Sequence, residues 1–139
     1  MPGSTPKLLL DTNVISDFFR SHPDVLRAFG KHSPADLCIS TVTVMEIEYG
    51  MERQAAARKK FGAAWAGLQA DLTVLPFDEA AATHTAQIRA ALAAAGTPIG
   101  PFDLQIAGTA RAHGLSLVTH NTGEFNRVSD VTVLDWRTD

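Results

Sequence analysis

Short apolar runs alternate along the chain with longer stretches of helical spacing, and few folds satisfy that alternation. The runs Lys7–Leu10, Leu37–Ser40, Leu72–Leu75, Leu115–Val118 and Val131–Leu134 read as strands. After the first, Val14–Arg20 has Val14, Phe18 and Phe19 at helical spacing, and Pro23–Lys31 opens with a proline suited to a first helical turn. Val42, Met45 and Tyr49 recur at three and four, which predicts a helix from Val42 to about Arg53. The alanine-rich stretch Gln54–Ala70 is expected to continue it. Asp78 opens a long helix with His84, Ile88 and Leu92 on one side, stopped at Gly96; Pro101 starts another, ended by Gly114. Short strands separated by helices require crossover connections. The expected fold is therefore α/β, a three-layer α/β/α sandwich around a parallel sheet of four to five strands. With 139 residues and no repeat or linker, one domain spanning 1–139 is expected.

Composition narrows the function by exclusion. The formal net charge is −3, so any nucleic-acid partner must be held by a local basic surface. Cys38 is the only cysteine and lies in an apolar run, which excludes an intrachain disulfide and suits a buried thiol. Met1–Lys7 lacks the pattern of a secretory leader, and no segment has the ~18 consecutive apolar residues of a membrane span. The expectation is a cytoplasmic protein with no membrane partner.

Three acids stand where the chain leaves a strand or enters a helix: Asp11, Glu46 and Asp103. Each has a purely structural explanation. Asp11 can cap the first helix. Thr43-Val44-Met45-Glu46 fits a capping box, in which Glu46 would reach back to the backbone of Thr43. Asp103, just after Pro101, would sit in a first helical turn, where the helix dipole favours a carboxylate. The conjunction points further. In open α/β sheets ligands bind beyond the carboxyl ends of strands, where Asp11 is expected. Carboxylates gathered there repel one another and suit a hard divalent ion such as Mg²⁺ or Mn²⁺. Such an ion activates water and neutralises charge on a phosphoryl oxygen. Asn121 and Glu124, beyond the fourth strand, can add oxygens to the rim. Thr12, Asn13, Ser40 and Thr119 sit at strand ends as candidate supports.

Leu8-Leu9-Leu10-Asp11-Thr12-Asn13 resembles the opening motif of PIN domains. Ile39-Ser40-Thr41-Val42-Thr43-Val44-Met45-Glu46-Ile47-Glu48-Tyr49-Gly50 resembles their second motif, whose acid falls on Glu46. Gly96-Thr97-Pro98-Ile99-Gly100-Pro101-Phe102-Asp103 is similar to the third, whose acid falls on Asp103. Leu117-Val118-Thr119-His120-Asn121-Thr122-Gly123-Glu124-Phe125, followed by Leu134-Asp135-Trp136, is similar to the family's ending. The resemblance covers nearly the whole chain, in order, and is nearest to VapC toxins. It implies a metal-dependent endoribonuclease, a homodimer inhibited by a cognate VapB-like antitoxin, that hydrolyses structured RNA in line to a 5′-phosphate and a 3′-hydroxyl. It also implies tRNA substrates in some members, and operator DNA bound only through the antitoxin complex. Asp11 and Asp103 are then the metal ligands, and Glu46 acts through water.

The chain departs from the family pattern at two positions. Asn121 stands where many PIN domains have a fourth acid, and His120 where relatives often have Asn or Asp. His120 and Arg89 are candidate RNA contacts. Arg58, Lys59 and Lys60 form a basic cluster that suits either phosphate or a solvated helix face. Trp65 and Trp136 read as packing residues, and His84 and His113 as structural. Two other readings compete. A haloacid-dehalogenase-like phosphatase also places an acid after its first strand, but needs a second Asp where this chain has Asn13 and a lysine where none follows Lys60. A non-catalytic PIN-fold RNA-binding regulator would keep the fold and use the cleft for binding alone.

Overall fold

The computed structural model describes residues 6–138. Met1–Thr5, most of the segment read for a leader, lie outside the described residues. Five strands form one sheet: β1 (Leu8–Leu10), β2 (Leu37–Ser40), β3 (Thr73–Leu75), β4 (Ser116–Val118) and β5 (Val133–Leu134). Their order is β3-β2-β1-β4-β5, and every pairing is parallel. The chain runs outward from β1 through β2 to β3, then crosses back to place β4 on the other side of β1. The gap between the carboxyl ends of β1 and β4 is therefore the switch point of the sheet, where α/β folds place ligands.

Strand residues alternate between two cores, as the pleat requires. Leu9, Cys38 and Leu117 face one core, with Ile88, Leu92, Leu104, Ile106 and Phe125. Leu10, Leu37, Ile39 and Val118 face the other, with Val14, Ile15, Val25, Trp65 and Leu68. The helices sort accordingly. α5 (Glu79–Ala95), α6 (Pro101–Ala112) and the short α7 (Thr122–Phe125) cover the first face. α1 (Thr12–Phe19), α2 (Pro23–Gly30), α3 (Thr41–Arg53) and α4 (Ala55–Asp71) cover the second. This is the three-layer sandwich expected from the alternation, with five strands. Cys38 is buried, and burial pushes its thiol up to about 12, so it is an inert core residue.

Two local expectations are corrected. The capping box is not formed. α3 begins at Thr41 and its cap is Ser40, whose hydroxyl accepts from the Thr43 N–H at 3.1 Å. That puts Glu46 nearly two turns inside the helix, out of reach of any N-terminal N–H, and frees its carboxylate to face elsewhere. Nor do α3 and α4 run on as one helix. At Gln54 the backbone turns extended (φ −133°, ψ 99°), and α4 folds back along α3. Trp65 explains the break, because only the folded-back helix buries its ring and lets its indole N–H donate to Glu48 at 2.7 Å. Tertiary packing here outweighs the helix propensity of the alanine-rich stretch.

The C-terminal segment clasps the second face. Arg137 makes a two-pronged ion pair with the buried Asp17, at 2.7 and 2.9 Å, and the Thr138 backbone and hydroxyl both donate to Asp24 at 2.9 Å. Trp136 packs edge-on to Phe29 and stacks on His32. Both tryptophans are thus packing residues, as expected.

Candidate active site

Asp11 leaves β1 at the switch point and is 4% exposed. It caps α1, accepting from the Thr12 N–H at 2.8 Å, so the structural explanation of this residue is correct. The cap uses only Oδ1. Oδ2 accepts from the Thr119 hydroxyl at 2.8 Å, across the β1–β4 gap. Burial pushes the Asp11 carboxyl up; the Thr119 and Thr12 hydrogen bonds oppose that rise, and the charges of Glu46 and Glu124 add to it. Thr119 is itself pinned, because its oxygen accepts from the Asn121 N–H at 2.9 Å and the Asn13 amide at 3.3 Å. Asn13 in turn accepts the His120 N–H at 3.2 Å.

Glu46 arrives from the opposite wall. Its Oε1 accepts from the Thr12 hydroxyl at 2.7 Å, and that hydroxyl lies 3.1 Å from the hydroxyl of Thr43. Ser40, expected beside the carboxylates, acts at one remove: it caps α3 and so fixes Thr43, which meets Thr12.

Asp103 enters from the first turn of α6 and shares a hydrogen bond with Glu124. Burial raises its carboxyl first, the Glu124 bond second, and the charges of Asp11, Glu124 and Glu46 after that, up to about 8. Glu124 is held below its usual range, first by that bond with Asp103 and also by the Asn121 amide (2.7 Å), the Arg127 charge and the Gly100 N–H. Asp103 and Glu124 therefore titrate as a hydrogen-bonded pair that keeps one proton above the usual carboxylate range.

Asp11, Glu46, Asp103 and Glu124 thus act on one another electrostatically, and among the described residues none forms a salt bridge. Like charges held this way disfavour ionisation of the whole group, a cost a divalent cation relieves. Among the described residues no three acidic, histidine or cysteine side chains close on one point as a ready-made metal cage. An ion there would be held by few protein oxygens and would keep waters, which is the habit of Mg²⁺.

The remaining candidates fall outside this cluster. The His120 ring pairs with Asp135 at 3.0 Å, tying the loop after β4 to the C-terminal segment. Arg89 lines a separate groove between α5 and α6, with Pro98, Pro101 and Leu104. Of the basic cluster, Arg58 is engaged by Glu48 at 2.9 Å and Glu52 at 3.4 Å, and Lys60 lies over the Phe61 ring at 5.3 Å. His84 accepts from Arg111 at 2.9 Å, and His113 lies 3.9 Å from Asp78, both structural roles as expected. Thr43 and Asp135 escaped the reading of the sequence as site supports. In the sequence Thr43 fits a helix cap, and nothing local to Asp135 marks a partner for it.

The chain as a whole is similar to known proteins. The PIN domain family model matches residues 8–131. The tRNA(fMet)-specific endonuclease VapC of Shigella flexneri is 44% identical over 94% of this chain and 98% of its own length. The toxin FitB of Neisseria gonorrhoeae is 34% identical over 92% of this chain and 96% of its own. A crystal structure of DNA-bound VapBC from Salmonella typhimurium superposes with a TM-score of 0.87 at 40% identity, covering 95% of this chain and 99% of that one. The chain belongs to the PIN-domain family and, within it, to the VapC ribonucleases. Membership sets the phosphatase alternative aside. Among the described residues no helix is long and apolar enough to cross a membrane.

Proposed function

We propose that this chain is the toxin of a toxin–antitoxin pair and hydrolyses tRNA with a divalent ion, Mg²⁺ or Mn²⁺, held by Asp11 and Asp103. The observation that carries this reading is that Asp11, Glu46, Asp103 and Glu124 act on one another at the switch point, and among the described residues none of the four forms a salt bridge. The names of similar proteins support the substrate and the partner: relatives are described as tRNA(fMet)-specific, and similar structures are VapBC complexes. A VapB-like antitoxin is accordingly the partner we assign.

When bound, the ion would polarise a phosphoryl oxygen and lower the pKa of a water. Asp11 is pre-aimed for its part, because Thr119 and the Thr12 N–H fix both of its oxygens. Asp103 would hold the ion as a carboxylate, so binding would be coupled to loss of the proton that it and Glu124 share. Glu46, fixed through one oxygen by Thr12, keeps the other for a water and orients it for in-line attack. Asn121 and Glu124 hold the rim beside Asp103.

Purified protein should cut tRNA in Mg²⁺ or Mn²⁺, lose that activity in excess EDTA, and lose it again as Asp11→Asn with its melt intact. The negative net charge argues against indiscriminate binding, so a restricted set of cuts is expected. Full activity in EDTA would rule out the metal, and general RNA degradation would rule out the specificity.

A further inference from the structure

The arginines divide by what they touch. Arg27, Arg58, Arg111, Arg127 and Arg137 each donate to a protein acceptor. Arg20, Arg53 and Arg89 have no hydrogen-bonded or ion-paired acceptor among the described residues. Two of these three line the same groove, a cleft of about 300 Å³ between α1, α3 and α4 whose wall includes Thr12 and Glu46. Its position follows from the helices. α1 starts at Thr12 and ends just before Arg20, and α3 carries Glu46 in its middle and Arg53 at its last residue. At 1.5 Å of rise per residue each arginine lies roughly 10–12 Å along its helix from the acidic wall. That separation leaves the carboxylate charge intact while placing two cations along the same cleft.

The rest of the groove is apolar. Phe19 and Phe61 stack with centroids 5.3 Å apart and planes 11° from parallel, and Met51 and Ile47 complete the floor. Arg53 is steadied over the Tyr49 ring at 5.7 Å. A cleft that is acidic at one wall, aromatic along its floor and cationic beyond has the chemistry of a nucleic-acid strand. Its phosphates need cations and its bases need flat apolar surfaces. In a chain of net charge −3 this local pair of cations has to supply the attraction that overall charge does not.

We propose that this groove is an RNA subsite, in which Arg20 and Arg53 hold backbone phosphates next to the scissile one and the Phe19–Phe61 pair carries a base. The proposal rests on the ribonuclease reading above and assigns the direction in which the strand leaves the carboxylates. Both arginines are exposed, so Gln in their place leaves the core untouched.

The test separates binding from cleavage. In an Asp11→Asn background, fluorescently labelled tRNA is titrated at several salt concentrations, so affinity is read whether or not the protein cuts. Arg20→Gln/Arg53→Gln should weaken binding about tenfold, as expected from losing two charge-assisted contacts to solvated phosphates. The slope of log affinity against log salt should become shallower by about 1.4, at about 0.7 per phosphate of a single strand. Arg53→Lys should keep the salt slope, and Lys31→Gln, away from the groove, should change neither quantity. With Asp11 restored, the double variant should raise KM and leave kcat near that of the unaltered protein. Unchanged affinity and salt slope in a folded double variant would overturn the subsite, including the case where only a protein partner's binding is weakened. Loss of cleavage in every divalent ion, with the salt slope still dependent on Arg20 and Arg53, would instead overturn the metal mechanism and leave the subsite standing.

Discussion

At the scale of single residues, the site is governed by where one proton sits. Asp103 is raised to about 8, against 3.8 for the unburdened side chain, by burial, by its bond to Glu124 and by the neighbouring charges. Between those two values the folded metal-free protein holds a proton that the unfolded chain has released. Its stability therefore falls as pH rises through that window. Asp103→Asn removes the titration while keeping a donor for Glu124. In EDTA the variant should gain stability relative to the unaltered protein between about pH 5 and about pH 8.5, read from urea midpoints. A stability difference that is flat with pH would contradict the shared proton. The acids themselves were legible in the sequence, because Asp11 directly follows an apolar strand and Asp103 stands two residues after a helix-starting proline. Their supports were less so. Thr119 meets Asp11 from 108 residues away and Thr43 meets Thr12 from 31, and only the strand order brings such pairs together. Glu46 shows the opposite failure: local spacing fitted a capping box, but Ser40 starts the helix earlier and takes the cap.

Among the elements, α5 and α6 carry Asp103 into position through an unusually close crossing. Gly108 of α6 faces Thr85 of α5, whose hydroxyl bonds Ala81 O at 2.7 Å. A Cβ at Gly108 would run into that hydroxyl and come within 2.9 Å of the Ala81 carbonyl. Rotating Thr85 relieves the first contact; the second needs the helices to move apart. Gly108→Ala should then destabilise by about 1–2 kcal/mol, since overpacking outweighs the helix propensity that alanine adds. Denaturant unfolding measures it, and Thr85→Ala in the same chain should recover part of the loss. Neutral or stabilising Gly108→Ala would contradict the close crossing. The crossing was hidden in the sequence, where Gly108 is a plain interruption of a helical pattern. Likewise nothing local marks Gln54 as a break between α3 and α4, because the reason is the burial of Trp65 eleven residues later.

For the whole molecule, the parallel sheet and the helices that cover it follow from the alternation of short apolar runs with helices, whereas the switch point needs the strand order β3-β2-β1-β4-β5. The C-terminal clasp does not follow from that alternation. Asp17 and Arg137 lie 120 residues apart, and neither belongs to a pattern that suggests its partner. The clasp and the sheet together form the scaffold on which four carboxylates are held close, and the central claim is that this closeness serves a divalent ion. Glu46→Gln tests it most directly, because Gln keeps an acceptor for Thr12 and removes only the charge. Thermal melts of both proteins in EDTA and in Mg²⁺ are the measurement, with tRNA cleavage followed on the same samples. At about 100 times Kd the ion should stabilise the unaltered protein by about 2.7 kcal/mol. Glu46→Gln should melt no lower than the unaltered protein in EDTA, gain less from Mg²⁺ and cleave poorly. A Glu46→Gln protein with full Mg²⁺ stabilisation and full cleavage would contradict the account.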